Sequence, residues 1–288
     1  MSSLRSEWLW SLIEPIFMLK SAVYHYLKTL LLAIAKGDLP LSGTQWQKIR
    51  GTAFSSLWLE FSAPKPPGGP PSLSAGLLPP LLSQATGVVL EVGPGSGSQM
   101  SLLKSDMINR VYGAEPCEEL HYKLQIQVDH HQMQDKYHIL AAGADANALT
   151  TELIRGGFIQ SWKPGDTVFD TIICVRTLCS MNDANTAVLD LYRLLHPGGK
   201  MLICEHVANP WKTAKGSLIS RLFQQIYMLL GWAFFIGDCR MNQDTESILT
   251  KAVESDGGWK EVNLEMAASY STFPYLHGSL VKQENRIF

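Results

Sequence analysis

The sequence has few charged residues and no excess of either sign. Charged residues make up 17% of the 288 residues, and the formal net charge is −2. Proteins that bind nucleic acid usually present a basic face, so nucleic acid is not an expected partner. Hydrophobic residues reach 46%, a high share for a soluble enzyme. The length suits one large α/β domain with additions.

Cysteine is scarce, and its spacing excludes two classes of site. The chain has five cysteines, an odd number, with no C-x-x-C pair and no histidine nearby at metal-ligand spacing. Neither a disulfide framework nor a zinc site is therefore expected, and no metal is predicted. The positions are Cys117, Cys174, Cys179, Cys204 and Cys239.

The sequence also lacks a long uncharged hydrophobic run. Residues 7–35 are rich in Trp, Leu, Ile and Phe, but Glu14, Lys20 and Lys28 interrupt them. A spanning helix needs about 18 or more apolar residues, so none is predicted here, and a secretory signal is not expected either. Two hypotheses remain for residues 1–62: a helical lid packed on the domain, which we favour, or an interfacial helix on a membrane. We expect a cytoplasmic protein, with peripheral membrane contact left open.

The most informative segment, 88–97, is an apolar run that ends in an acid and three alternating glycines. The run predicts a buried parallel strand. Gly93, Gly95 and Gly97 follow Glu91 and allow a tight turn that a ligand can approach closely. We expect a helix to begin after Gly97, with free N–H groups facing that ligand. The segment predicts a nucleotide-type cofactor site.

The details favour one cofactor. Ser98 and Gln99 follow the loop, so the third glycine comes too early for a dinucleotide fingerprint. A carboxylate at Glu91 suits a cationic ligand, and Glu115, after the next apolar run, suits a ribose diol. The E-x-G-x-G-x-G pattern followed by Glu115 resembles class I S-adenosylmethionine-dependent methyltransferases. The resemblance implies S-adenosylmethionine as the cofactor.

Further residues past the strand ends are candidates for cofactor binding. The Asp145 carboxylate could accept a hydrogen bond from the adenine amine and the Ala146 N–H could reach the ring; the alternative for Asp145 is a helix N-cap. Arg176 follows another strand, beside the expected methyl donor, and either pairs with an acid or is solvated. The complete set of cofactor candidates is Glu91, Gly93, Gly95, Gly97, Glu115, Pro116, Asp145, Ala146 and Arg176.

Alternating strand and helix patterns predict an α/β fold with a Rossmann-like, mostly parallel sheet. The last two strands are joined by a link too short for a parallel crossover, so one of them should run antiparallel. Predicted strands are 87–92, 110–114, 137–142, 168–175, 201–204, 259–265 and 278–282, and predicted helices are 118–134 and 185–195, the second closed by a turn at 196–199. Predicted domains are the lid 1–62, a Pro-rich connector 63–72, and a catalytic domain 73–288 that contains a helical insertion at 208–242.

Two residues are candidates for catalysis. His206 ends a predicted strand, and histidine is the usual general base near neutral pH, although it could be a hydrogen-bonded turn residue. Asp238 closes the apolar helical run 217–237 and could hold a substrate hydroxyl or thiol, or belong to an ordinary polar cluster. The apolar run itself is either a core helix or a wall of the substrate pocket. We expect His206 and Asp238 to converge beyond the methyl group.

Several later motifs sharpen the resemblance over about 87–283. They look like the methyltransferase-like thiol methyltransferases associated with endoplasmic reticulum and lipid droplets, whose related fungal members methylate small metabolites. The charged N-terminus and the Pro-rich connector depart from that family. The motifs are Cys174…Thr177-Leu-Cys-Ser180, Leu194-Leu-x-Pro-Gly-Gly199, Glu205-His-Val-Ala208, Gln224-Gln225, Gly237-Asp-Cys239 and Thr245-x-Ser247.

These patterns together predict a methyltransferase acting on a small apolar metabolite through a thiol or hydroxyl. An alternative is a cyclase of the same fold that uses the sulfonium charge without losing the methyl group. A non-catalytic surface- or partner-binding protein is a third hypothesis. The oligomeric state is left open.

Overall fold

The computed structural model describes residues 2–38, 42–63 and 73–284. The Pro-rich connector predicted at 63–72 lies outside these residues except for Ala63. Within the described residues the chain forms two compact units. We call one the helical unit (Met1–Pro66, His206–Gln243 and Ala267–Tyr275) and the other the sheet unit (Pro67–Glu205, Asp244–Met266 and Leu276–Phe288). Each is described by itself.

A seven-stranded sheet, counted over the described residues, has the order β3-β2-β1-β4-β5-β7-β6. The pairs β1–β2, β1–β4, β2–β3 and β4–β5 are parallel. Only residues 268–274 link the neighbours β6 and β7, too few for a parallel crossover, so these two run antiparallel. The predicted mostly parallel α/β sheet with an antiparallel strand is confirmed. The strands are β1 Gly87–Val92, β2 Ile108–Ala114, β3 Tyr137–Leu140, β4 Phe169–Val175, β5 Leu195–His206, β6 Trp259–Ala267 and β7 Tyr275–Lys282.

Burial explains why the central strands form where they do. Val89, Leu90 and Ile172 are fully buried, as is the run 201–204 of β5. Continuous apolar runs of this kind are typical of parallel strands covered by helices on both faces. The helices are α1 Ser2–Ala35, α2 Gly43–Ser62, α3 Leu73–Leu82, α4 Glu118–His130, α5 Ala146–Arg155, α6 Ala184–Leu194, α7 Leu218–Leu229, α8 Trp232–Phe235 and α9 Thr245–Lys251.

Two local predictions are wrong. The segment after Gly97 forms turns and a 3₁₀ helix, Met100–Leu102, where an α-helix was predicted, because β2 already begins at Ile108. Strand β5 begins at Leu195, before the predicted start at Met201. Leu195 pairs with Phe169 and Lys200 with Thr171, so the residues between them, predicted as a turn, are an irregularity inside the ladder.

In the helical unit, the N-terminal helix packs beside the segment that follows β5. The Trp8 indole donates to the Ser217 and Ser220 hydroxyls at 3.3 and 3.1 Å. The Tyr227 hydroxyl donates to the Leu12 carbonyl at 2.7 Å. The predicted helical run 217–237 is divided into α7 and α8 at Gly231, which has a φ of +89°. No helix in the described part of the chain is long and apolar enough to cross a membrane.

Candidate active site

The glycine loop leaves β1 in a conformation that favours glycine at three alternate positions. Gly93, Gly95 and Gly97 have φ angles of +61°, +61° and +78°. A Cβ on Gly93 would come within 2.5 Å of Cγ2 of Thr177, and one on Gly97 within 2.9 Å of Cδ1 of Leu124. Larger residues would therefore be strained in the backbone and would collide with neighbouring side chains. At these three positions the loop presents backbone without a side chain at the carboxyl end of the sheet.

Glu115 fastens this loop to the end of β2. Its side chain is only 5% exposed. One oxygen accepts a hydrogen bond from the Gly95 N–H at 2.8 Å and the other from the Cys117 N–H at 2.9 Å. Burial raises the pKa of the Glu115 carboxyl, and the two backbone donors act in the opposite direction. Each carboxylate oxygen can accept a further bond, so Glu115 can also receive a diol. Pro116 is exposed in the turn that leads into α4.

Glu91 lies inside the sheet, two residues before the loop, and is 4% exposed. The Tyr137 hydroxyl on β3 donates to it at 2.6 Å. Burial raises the pKa of the Glu91 carboxyl to about 7, with the Tyr137 hydrogen bond lowering it and Glu115 raising it further. Gly113, opposite Glu91 in the ladder, makes room, because a Cβ there would lie 2.2 Å from the Tyr137 oxygen.

Tyr137 was not predicted as a site residue, although the sequence carried a sign of it. A glycine inside a strand often marks the close approach of another group. Gly113 stands in the buried half of β2, where a larger residue would pack better. The glycine therefore indicates an approaching group, but not that the group is a tyrosine.

The loop after β4 is held by Glu205, a second residue that sequence reasoning missed. Glu205 is fully buried at the end of β5. Its carboxylate accepts from the backbone N–H groups of Thr177, Leu178 and Cys179 at 2.8, 3.0 and 3.4 Å. The Thr177 hydroxyl adds a fourth contact at 3.3 Å. The loop backbone is thereby fixed beside Gly93, which Thr177 contacts.

Arg176 begins that loop with a φ of +59°, unusual for a residue with a side chain. Its N–H donates to the Cys204 carbonyl at 2.9 Å. This bond continues the β4–β5 ladder by one step, so Arg176 marks the point where the chain turns out of the sheet. Its predicted role at the cofactor stays a prediction.

Asp145 and Ala146 already have partners in the sheet unit. The Asp145 carboxylate caps α5, accepting from the Ala148 N–H at 2.8 Å, the alternative that the sequence left open. The Ala146 N–H donates to the Asp190 carboxylate at 3.1 Å. An adenine ring would compete with Asp190 for that donor. The Asp145 side chain is exposed and can still accept from a ligand amine.

His206 is placed among aromatic rings of the helical unit. Its Nε2 lies 2.7 Å from the Tyr275 hydroxyl. The imidazole is 4.5 Å from the Tyr275 ring and 5.2 Å from the Phe273 ring, centroid to centroid. Phe273 in turn contacts the buried Trp232 at 5.4 Å. The half-buried imidazole is therefore hydrogen-bonded on one nitrogen and flanked by two aromatic rings.

Asp238 is paired with Arg50 of α2. Its Oδ1 is 2.8 Å from Nη2 of Arg50, and its side chain is about half exposed. Arg50 also donates to the Phe234 carbonyl and lies over the Phe234 ring at 4.8 Å. Asp238 has a φ of +61° where the chain leaves α8. The polar cluster that the sequence left as an alternative is present, although sequence did not indicate Arg50 as its partner.

The candidates thus divide between the units. The cofactor candidates all belong to the sheet unit, and both catalytic candidates belong to the helical unit. Within the sheet unit the structure joins Glu115 directly to the glycine loop. The residues there fit S-adenosylmethionine: Glu115 can hold the ribose hydroxyls, the loop offers bare backbone, and Glu91 places a buried acid near the loop for a cationic group.

Comparison with known proteins agrees with this chemistry. A family described as a methyltransferase domain matches residues 50–241. The mitochondrial methyltransferase OMS1 of Saccharomyces cerevisiae is 21% identical over 185 residues, which is 62% of this chain. The alignment spans 38% of that relative, so this chain corresponds to well under two thirds of its length.

Solved structures share the fold at low identity. The 4+2 cyclase SpnF is 13% identical, with a TM-score of 0.54 over 82% of this chain and 97% of its own. An O-methyltransferase family protein from Burkholderia thailandensis is 10% identical, with a TM-score of 0.53 over 91% of this chain and 72% of its own. At these identities the likeness shows the fold alone.

Proposed function

Because this chain belongs to the methyltransferase domain family and uses S-adenosylmethionine, we propose that it methylates a thiol or hydroxyl group of a small apolar molecule. The observation that carries the proposal is the 2.7 Å contact between Nε2 of His206 and the Tyr275 hydroxyl. A base held in one orientation suits an acceptor that must lose a proton. The surrounding rings favour an apolar acceptor.

His206 is the base in this proposal, and Tyr275 is a positioning residue. In this proposal Nε2 of His206 carries a proton and donates it in a hydrogen bond to the Tyr275 oxygen. Nδ1 then has the free lone pair, which takes the proton from the thiol or hydroxyl that receives the methyl group. The rings of Phe273 and Tyr275 restrict the imidazole to this orientation. S-adenosylmethionine supplies an already activated methyl group, so the residues of the chain contribute mainly alignment and proton removal.

Asp238 holds the acceptor in this proposal. Arg50 engages Oδ1, and a carboxylate has capacity for further hydrogen bonds on both oxygens. A half-exposed carboxylate fixed by an arginine can accept a hydrogen bond from a substrate hydroxyl or thiol without moving. The resemblance of 174–180, 205–208 and 237–239 to thiol methyltransferases favours a thiol over a hydroxyl acceptor.

Turnover of matched thiols and alcohols tests this proposal. Purified full-length chain is incubated with S-adenosylmethionine and an alkyl thiol or its alcohol analogue, and S-adenosylhomocysteine is measured. We expect His206→Ala, Tyr275→Phe and Asp238→Asn each to lower turnover at least about tenfold, with little change in cofactor affinity. His25→Ala is the matched control, since His25 of the same unit pairs with the exposed Glu60 and should keep full turnover.

The same assay separates the cyclase alternative. Conversion of a substrate without S-adenosylhomocysteine would mean that the sulfonium charge is used and the methyl group kept. Normal turnover of all three variants near pH 7 would remove His206 and Asp238 from the chemistry. A thiol of low pKa, methylated by alignment alone, would then be the better assignment.

A further inference from the structure

The outer face of α1 carries large apolar side chains that are exposed to solvent. At 100° per residue these positions lie opposite the buried Leu12, Leu19 and Ala22. The rings of Trp10 and Phe17 stack on each other at 5.7 Å, two turns apart. The exposed side chains on this face are Trp10, Ile13, Phe17, Tyr24, Leu27 and Leu31.

Helix α7 buries polar side chains and exposes apolar ones, the reverse of the usual pattern for a helix at a protein–water boundary. Its buried side carries Ser220, Gln224 and Tyr227, and the first two are fully buried. The Gln224 amide donates to three backbone carbonyls of the helical unit. The opposite side is aliphatic, and Leu229 is 87% exposed. A helix with a polar inner face and an apolar outer face is suited to a surrounding other than water. The outer side chains are Leu218, Ile219, Leu222, Ile226 and Leu229, followed by Leu230 directly after the helix.

Two segments that contribute to these faces carry charges of one sign, although the whole chain has a net charge of −2. Residues 15–37 contain Lys20, Lys28 and Lys36 and no acid. Residues 206–237 likewise contain three cations, at 212, 215 and 221, and no acid. The acids of α1, Glu7 and Glu14, lie in its first half, and the Tyr270 hydroxyl donates to Glu7. An apolar face among cations complements an anionic surface.

We propose that the helical unit docks on the surface of an anionic phospholipid membrane through the outer faces of α1 and α7, without crossing it. The aliphatic side chains enter the boundary between headgroups and acyl chains, and the lysines contact the phosphates. Exposed Trp10, Tyr24 and Trp211 are the residue types that favour this boundary. A membrane accounts together for the exposed aromatic and lysine side chains and for the lack of acids in residues 15–37 and 206–237. The proposal depends on this surface and not on the acceptor or its chemistry.

Vesicle flotation with the full-length chain tests the proposal. The probes are vesicles of phosphatidylcholine alone and of phosphatidylcholine with about one third phosphatidylserine. We expect the chain to float with the mixed vesicles and more weakly with the neutral ones, because cations add to apolar insertion. The double variant Leu222→Glu, Leu229→Glu should bind the mixed vesicles at least about tenfold more weakly. Lys20→Gln, Lys28→Gln should reduce the preference for phosphatidylserine.

A matched control places the same change outside this surface. Met107 and Tyr122 of the sheet unit are 66% and 72% exposed, so Met107→Glu, Tyr122→Glu alters equally exposed apolar residues. This control should float like the unchanged chain. Calorimetry with S-adenosylhomocysteine, together with circular dichroism, shows that each variant is folded.

Three results would overturn the proposal. The first is no flotation of the unchanged chain with either vesicle. The second is flotation of Leu222→Glu, Leu229→Glu equal to that of the control. The third is a dimer of the unchanged chain in sedimentation velocity, together with no flotation, where the double variant Leu222→Glu, Leu229→Glu is a monomer. That result would mean that a second copy of the chain covers the surface.

Discussion

Replacing Glu205 tests how the loop after β4 is held beside the cofactor loop. Glu205 is fully buried, and its carboxylate accepts three backbone N–H groups and one hydroxyl from Thr177, Leu178 and Cys179. Alanine would leave three backbone donors, two of them buried, without this acceptor. Glutamine would keep an oxygen for the two shorter backbone bonds but direct an amide N–H₂ toward Cys179.

The contacts set the size of the effect. A buried group left without its partner costs about 1–3 kcal/mol, so Glu205→Ala should lower the free energy of unfolding by about 3–5 kcal/mol. Glu205→Gln loses the charge and one acceptor, and about 1.5–3 kcal/mol is expected. Since Thr177 contacts Gly93, a displaced loop should also weaken S-adenosylhomocysteine binding.

Urea unfolding monitored by circular dichroism, with calorimetry of S-adenosylhomocysteine, measures both effects. Glu265→Gln, an exposed acid on β6, is the matched control and should change neither quantity appreciably. The reasoning is refuted if Glu205→Ala unfolds and binds as the control does. A loss of stability with full cofactor affinity would mean that Glu205 stabilises the fold but does not affect the cofactor loop.

Three further predictions concern the buried Glu91 carboxyl, the glycine loop and the N-terminal residues. Burial holds the pKa of Glu91 at about 7, above its ordinary 4.5. Between these pH values the folded state keeps a proton that the unfolded chain has lost. The free energy of unfolding should therefore fall by roughly 3 kcal/mol as the pH rises from 4.5 to 7. Glu91→Gln should flatten this decline, and an unchanged pH profile would contradict the assignment. Gly93→Ala should weaken S-adenosylhomocysteine binding in calorimetry, since its φ is +61° and the new Cβ meets Thr177, whereas Gly143→Ala, which meets nothing within 4 Å, should not. Deleting residues 1–40, the larger part of the predicted lid, should preserve cofactor binding and lower turnover at least about tenfold; full turnover with only membrane association lost would reject the lid.

The sequence was most informative where apolar burial alone determines structure. Strands β1 and β4 begin and end within one residue of their predicted bounds, because each is a short apolar run between polar or glycine-rich segments. The start of β5 was missed because His196-Pro-Gly-Gly199 has the composition of a turn, whereas the ladder accepts it as an irregularity. Local composition predicts a turn but does not show that pairing resumes on both sides of it.

Contacts between distant side chains and backbone were not accessible from the sequence. Glu205 acts on backbone N–H groups 26–28 residues away, and backbone donors have no residue-specific pattern. His206 and Tyr275 are 69 positions apart, so only the fold brings them together. Glu115 was predicted because its position after β2 follows from the order of strands, but its bonds to Gly95 and Cys117 required coordinates.

Calorimetric titration of S-adenosylhomocysteine into the full-length chain and Glu115→Ala tests the central claim most directly. Glu115 is buried beside the glycine loop and offers a carboxylate to the ribose diol. Glu115→Ala should lose charged hydrogen bonds worth about 1.5–3 kcal/mol, which weakens binding roughly 10- to 150-fold. Glu118 is an exposed acid at the start of α4, and Glu118→Ala should bind like the unchanged chain. Absence of binding by the unchanged chain, or equal affinity of Glu115→Ala and Glu118→Ala, would contradict the assignment of this loop as the S-adenosylmethionine site.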